Sequence, residues 1–437
     1  MSKIKVLVVP SDRTGVSYYR STIPHIKLEE YFPNDFHVDI DYEPELENEN
    51  FLKKYDLIHY HRTLGSYEKM EEVLDRCDKL GIKTIMDLDD HWSPGPNHPA
   101  WEIIKKNGLD KKIAQNLKVA RNITTTTQIF ADEISRLNKN VFVLPNAINP
   151  EEKQYQNNTE KSDRVRIGWL GGSSHLKDLE ILNNVVNNIK SAGLIDKVQF
   201  VLCGYDLRGT MTTIDRKTGK QTQRDIKPEE SVWYKYEKIF TDNYKIISDE
   251  YKDFLLRFEN KEYDNVNNEP YRRVWTKPIT SYASNYNLFD VSLAPLKDST
   301  FNKVKSQLKV IEAGFHKKAL IAQDIGPYQI DIKNSYKRGG EMDLNNGNGI
   351  LIPENKNHKF WFRHIKMLID NPSMIKSLGE NLYNTVNGKY DMKSVCTERS
   401  KLYKQIIISF CDNYKLDEPV IMGCSMGGRV VLHLALE

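Results

Sequence analysis

A chain of 437 residues exceeds what one ordinary hydrophobic core holds, so two or three domains are expected. Hydrophobic residues make up 39% and charged residues 28%, which excludes a disordered or fibrous chain; the formal net charge of +3 gives no reason to expect nucleic acid as a partner. No stretch approaches the roughly 20 apolar residues of a membrane span. The five cysteines (Cys77, Cys203, Cys396, Cys411, Cys424) show neither CxxC nor Cys/His metal spacing, so a reduced, cytoplasmic setting is expected.

Strands and helices alternate along the chain. KVLVVP (Lys5 to Pro10) is a continuous apolar run, the pattern of a strand buried on both faces. A polar loop with Gly15 leads to a helical stretch from about Tyr19 to Tyr31. FHVDIDY, DLIHYHR (Asp56 to Arg62) and KTIMDLDD (Lys83 to Asp90) read as strands, with a helix from about Tyr67 to Leu80 stopped by Gly81. NITTTT, near Asn122, and VFVLPN (Val141 to Asn146) complete a first half.

The polar segment Pro150 to Arg164 is the linker candidate. The pattern then restarts with VRIGWLGG (Val165 to Gly172), an amphipathic helix LKDLEILNNVVNNIKSAG ending at Gly193, and the strand VQFVLCG. Residues 206–270 read as a partly helical insertion, followed by the strands RRVWTKPI and FDVSLAPL and the helix, turn and strand of LKVIEAGFHKKALIAQD. The expected fold class is α/β: two Rossmann-like, doubly wound domains facing across a cleft, with the active site at the carboxyl ends of the strands. The expected domains are 1–155 on the acceptor side, 156–395 on the donor side, a C-terminal helix at 396–410 and an appended tail at 411–437.

Two stretches carry donor chemistry. In GWLGGSSHLKDL a buried strand delivers Gly171 and Gly172 to a helix start. Exposed N–H groups there favour a phosphate; Ser173 or Ser174 can cap the helix, and Lys177 adds a mobile charge. In FNKVKSQLKVIEAG, read as one helix from Phe301 to Gly314, Lys305, Lys309 and Glu312 fall on one face with Ser306 near the start. Such a terminus is a diphosphate clamp, and Glu312 can accept from a ribose diol. A plain turn and a solvated Lys/Glu face are the alternatives.

The stretch LKVIEAGFHKKALIAQDIGPY resembles the donor-binding signature of GT-B glycosyltransferases, family 4 in particular. Glu312 matches the second glutamate of that signature; Val304 stands at the first, and Trp169 where many members carry a phosphate-binding arginine. YDLIHYHR resembles the strand bearing a histidine at the cleft, and TTTTQIFADEI with VFVLPNAINP the last helix and strand of the first domain. The resemblance runs from about Lys5 to Phe410. It implies sugar transfer from a nucleoside diphosphate to a glycan or other acceptor hydroxyl, with retention, without metal or cofactor. Lys305, Glu312 and His61 are then the catalytic candidates, and Gly171, Gly172, Ser173, Lys177, Ser306, Lys309 and Glu312 the donor-binding ones.

On the acceptor side, Gly15, Tyr19 and Arg20 lie in the loop after the first strand, and Asp90 and His91 end MDLDDHW. The DxDD run invites a magnesium reading, against which stands capping and loop hydrogen bonding; no metal is expected. His59 and His61 alternate on one face of their strand. A non-catalytic sugar-nucleotide-binding relative is the alternative function. The tail, EPVIMGCSMGGRVVLHLALE, resembles the nucleophile elbow of an α/β-hydrolase around Ser425. Only about twelve residues follow that serine, too few for the acid and histidine of a triad, so hydrolysis is a remote third reading.

Overall fold

Apolar runs without alternation form parallel strands buried on both faces, and glycines past helix ends close the crossovers. The computed structural model describes residues 3–413 except 97, 208, 215–217, 219–220, 258–267 and 338–339, and it divides into two units. The elbow around Ser425 lies outside the described residues.

Unit 1 holds Met1–Pro150, Ser299–Leu308 and the stretch beginning at Gly388. Its strands are β1 (Ile4–Val9), β2 (Phe36–Ile40), β3 (Leu57–His61), β4 (Lys83–Leu88), β5 (Asn122–Thr125) and β6 (Val141–Val143). They form a parallel sheet in the order β2-β1-β3-β4-β5-β6. The expected helix over Tyr19–Tyr31 is instead a turn at Gly15–Ser17, a π-helical turn at Tyr18–Thr22 and a helix over Ile23–Tyr31. The helix Met70–Lys79 ends before Gly81, whose φ of +78° explains that glycine. The C-terminal helix is longer than expected, Met392–Asn413, and packs on Ile23–Tyr31 through His25, Tyr403 and Cys396.

Unit 2 holds Glu151–Asp298 and Lys309–Asn387. Its strands are β7 (Val165–Leu170), β8 (Val198–Tyr205), β9 (Thr210–Ile214), β10 (Gln221–Asp225), β11 (Tyr271–Trp275), β12 (Val291–Ala294), β13 (Ala319–Gln323) and β14 (Ile350–Ile352). The parallel sheet runs β11-β8-β7-β12-β13-β14, and β9 and β10 form a separate antiparallel hairpin. The insertion at 206–270 thus carries that hairpin as well as helices over Val232–Thr241 and Asp249–Arg257.

Three expectations need correction. The sequence divided the chain at 155/156, yet Glu151 already groups with unit 2, and Gln154 and Tyr155 are buried there. Residues 299–308 group with unit 1, where Val304 joins the core cluster that also holds Leu64 and Leu88, and so do those from Gly388, through the C-terminal helix. The helix expected from Leu176 to Gly193 breaks into Leu176–Leu179, a 3-10 turn at Glu180–Leu182 and Val185–Ser191, where Asn184 takes a left-handed φ of 69°.

Candidate functional site

In a doubly wound sheet, ligands bind at the carboxyl edge where the strand order reverses. That point lies between β1 and β3 in unit 1, and between β7 and β12 in unit 2.

At the unit 1 switch point His61 ends β3, 1% exposed. Its Nδ1 lies 2.7 Å from the Ser11 hydroxyl and its Nε2 2.9 Å from Asp89 Oδ1. Arg62 also donates to Asp89, at 3.2 Å, from a left-handed backbone (φ 64°) that a non-glycine residue adopts only under constraint. Burial opposes ionisation of Asp89, but the His61 hydrogen bond and the charges of His61 and Arg62 outweigh it and hold the carboxyl well below its usual range. Asp90 goes the other way: burial and the Asp89 charge raise it, against the pull of Lys305 and Arg62. The two carboxyls are thereby moved apart, Asp89 downward and Asp90 upward.

Lys305 and Ser306 are not on a helix. The single helix expected over 301–314 is two, Thr300–Lys303 and Leu308–Phe315, with residues 304–307 bridging them, so Lys305 does not share a helical face with Lys309 and Glu312. The burial of Val304 turns the chain here. Lys305 lies over the Phe301 ring at 4.9 Å, and the Ser306 hydroxyl accepts from Asn146 Nδ2 at 3.1 Å.

Three acceptor-side candidates are corrected to interior roles. Arg20 is 1% exposed and donates twice to Asp87, at 2.9 and 2.7 Å, and to Leu144 O and Asn146 Oδ1. Tyr19 is buried edge-on to Tyr18 at 5.1 Å. His91 stacks on Trp92 at 4.2 Å and accepts from the Ser93 amide. Gly15 opens its short turn, half-buried. His59 is fully buried beside His25, ring centroids 4.4 Å apart, and away from the edge. A cavity of about 930 Å³ opens at the opposite, amino edge, lined by Lys83, Asn122 and Asn140 among others, away from these groups.

At the unit 2 switch point the glycine pair divides its work. A Cβ on Gly171 would come within 2.4 Å of the Trp169 ring, so this glycine exists for its own tryptophan; a Cβ on Gly172 would meet nothing. Gly172, Ser173 and Ser174 form an exposed turn. No serine caps the following helix, whose first residue follows His175 without a side-chain cap. Tyr236 pins the turn instead: its hydroxyl accepts from the His175 amide at 2.8 Å and donates to Gly172 O at 3.3 Å. Asp178 ties the loops flanking the switch point, accepting from Lys297 N and from His175 Nδ1, each at 2.8 Å.

Lys309 lies over Trp169 at 5.3 Å and donates to Leu170 O at the end of β7. Lys177 is exposed and paired with Glu180 at 3.0 Å. Glu312 is 3% exposed and accepts from the Tyr286 hydroxyl at 3.1 Å; Tyr286 stacks on His316 at 5.1 Å. Sequence reasoning missed Ser11, Arg62, Asp178 and Tyr236, and read Asp89 only as part of the DxDD run. Arg62 and Asp178 each sit one position from a candidate it named, Ser11 lies four positions before Gly15 in the same loop, and Tyr236 lies in the insertion with no motif to mark it.

No protein-family model matches the sequence, and no curated protein matches it. Solved structures do. Over 92% of this chain and all of the other, the Anabaena protein HepE in complex with UDP and glucose superposes with a TM-score of 0.55 at 11% identity. An α,α-trehalose-phosphate synthase (UDP-forming) from Burkholderia vietnamiensis gives 0.54 at 8% identity, over 94% and 98% of the two chains. The catalytic domain of starch synthase IV from Arabidopsis thaliana, bound to ADP and acarbose, gives 0.53 at 11%, over 93% and 100%. The chain has the GT-B fold. In GT-B terms unit 1 is the first Rossmann-like domain and unit 2 the second, and the resemblance drawn from LKVIEAG and GWLGG holds at the level of the fold. Among the described residues, no helix is long and apolar enough to cross a membrane.

Proposed function

We propose that this chain is a glycosyltransferase of the hexosyltransferase type, moving a sugar from a nucleoside-diphosphate sugar to an acceptor hydroxyl without a cofactor. The observation that carries the reading is the open Gly172–Ser174 turn at the unit 2 switch point, on a fold shared with a structure holding UDP-glucose. Free backbone N–H groups at such a turn suit a diphosphate. Lys309 supplies the charge that an arginine at the Trp169 position would give, and leaves Leu170 O to do so. Ser173 and Lys177 flank the phosphates, and Glu312 faces the ribose diol.

The test is a thermal-shift screen with UDP, ADP and UDP-glucose, followed by an assay of UDP release. A ligand that binds the folded state raises the midpoint; if none does, the reading fails. A second reading, binding without transfer, is favoured by the burial of Val304 and Trp169, which makes two usual donor-contact positions core residues. Binding without UDP release would select it. The family 4 resemblance implies retention at the anomeric carbon, whereas a protein-borne base on the acceptor side implies inversion; product configuration decides between them.

A further inference from the structure

The insertion in unit 2 carries the hairpin of β9 and β10, and the donor chemistry makes no use of it. Among the described residues it pairs with no other strand. All of β10 is exposed, and so are Thr210, Thr212 and Thr213 of β9; Met211 is half-buried. Two strands bare on both faces are marginal in water, where a third strand or a covering helix is needed for stability. The pair is braced at its base. Arg224 donates to both carboxylate oxygens of Glu230, at 2.7 Å each, and Glu230 accepts from the Lys227 amide at 3.0 Å. Ser231 then caps the helix Val232–Thr241, accepting from the Trp233 amide at 3.2 Å, and Tyr236 fixes that helix to the Gly172 turn. The hairpin is thus presented from a firm base, with no further strand on either edge.

The two edges differ. The Ile226 amide donates to Gly209 O at 3.1 Å, and the register sets Met211 opposite Arg224 and Thr213 opposite Thr222. In an antiparallel ladder, hydrogen-bonded pairs alternate with non-bonded ones, so Gly209, Met211 and Thr213 turn their N–H and C=O groups toward β10. Thr210, Thr212 and Ile214 therefore turn theirs outward, and on β10 Gln221, Gln223 and Asp225 do the same. β9 reads TMTTI, with no charge and no proline; β10 reads QTQRD, ending in a cation and an anion. Charged residues guard a natural sheet edge against pairing, and β9 lacks them.

We propose that the β9 edge is a dimerisation surface, on which a second copy of this chain adds its own β9 antiparallel to form a four-stranded sheet. The outward residues are self-complementary about Thr212. With Thr212 facing its own counterpart, Thr210 faces the counterpart of Ile214, and every outward N–H and C=O of one edge meets a partner on the other. Threonine against threonine across such a pair is a favourable match. A two-fold axis through the central pair closes the assembly at two copies. The charged β10 edges then lie outermost, where they discourage further addition. Two such five-residue edges bury less than the roughly 1,200 Å² of a stable interface, so the dimer is weak and concentration-dependent.

Sedimentation equilibrium of the full chain, up to about 100 µM, should show the mass rising from monomer toward dimer. Thr212→Pro deletes the central outward N–H and no bond within the hairpin; it should weaken association by about tenfold or more. Gln223→Pro makes the same change on β10 and should leave association as it was. Thr212→Cys under mild oxidation should give a cross-linked dimer, joined at position 212, that the parent chain does not form. Cα atoms of such a pair lie about 5.5 Å apart, within reach of a disulfide. This variant does not depend on the proline variant folding. A chain monomeric throughout, a dimer that survives Thr212→Pro, or oxidation that yields no bond at position 212 overturns the proposal. So does equal weakening by Gln223→Pro, which would place the contact on the other edge. UDP binding bears on the transferase reading alone, so the two can fail independently.

Discussion

The two carboxyl edges of this molecule are built from opposite materials. At the unit 1 switch point, ionised and hydroxyl groups are hydrogen-bonded to one another, and a separate Arg20–Asp87 pair lies buried in the same unit. At the unit 2 switch point the support is aromatic: Trp169, Trp233 and Tyr236 pack edge-on or tilted at 5.1–6.3 Å and carry a glycine turn with one lysine beside it. A wired edge is costly to break. A ring-supported edge holds a backbone turn in place, and tolerates changes that do not disturb the rings.

The sharpest way to break the contrast is to unpair the buried ions. Arg20→Met leaves Asp87 buried without its bidentate partner, and removal of one member of such a pair costs about 3–5 kcal/mol. Urea denaturation should show that loss in unit 1; a loss under 1 kcal/mol would mean Asp87 finds other cations.

Acid should separate the units next. Burial pushes the imidazoles of His25 and His59 well below their ordinary 6.5, so each stays neutral in the folded state. The unfolded chain then binds more protons at low pH, and stability present above pH 6.5 is lost as pH falls toward the folded values. For two such groups the loss between pH 6.5 and 5.5 is about 2 kcal/mol, and His59→Phe should halve it. In unit 2, His316 is pulled down to about 4 by burial, though carbonyls of Glu312 and Gln154 hold both its nitrogens.

Steric and charge changes in unit 2 come last. Gly171→Ala forces the Trp169 ring aside and should cost about 1–3 kcal/mol of thermal stability, while Gly172→Ala, in open space, should cost little. Lys309→Met should weaken UDP binding about tenfold, by the loss of one charge-assisted contact, as read by calorimetry. Equal affinity in the variant would place the phosphate elsewhere.

The doubly wound pattern was legible because KVLVVP, DLIHYHR and FDVSLAPL are unbroken apolar runs between helical stretches, and because Gly81 and Gly193 end helices as their left-handed φ requires. The interior was less so. Arg20 and His91 look like surface residues in a polar loop, and only the position of Asp87 on β4 and of Trp92 beside Phe130 reveals them as internal. The face shared by Lys305, Lys309 and Glu312 followed from a 3.6-residue period that is real on each side of residues 304–307 but not across them. Val304 could not be read as an anchor for unit 1, since the core it joins, Leu64 and Leu88 included, lies more than 200 residues away in sequence.

The ten residues Ser299–Leu308 give the chain an unusual itinerary. It leaves unit 1 after Pro150, returns for one decapeptide, departs again at Lys309 and comes back at Gly388. Neither unit is therefore a continuous stretch of gene, and a single crossover between two such chains could not exchange a whole second unit. A hybrid joined at the linker would inherit the partner's decapeptide and final helix in its first unit, and would have to accept a foreign residue at the Val304 socket and a foreign helix against Ile23–Tyr31. Within such a lineage, changes in either unit should accumulate by substitution in place, not by shuffling of halves.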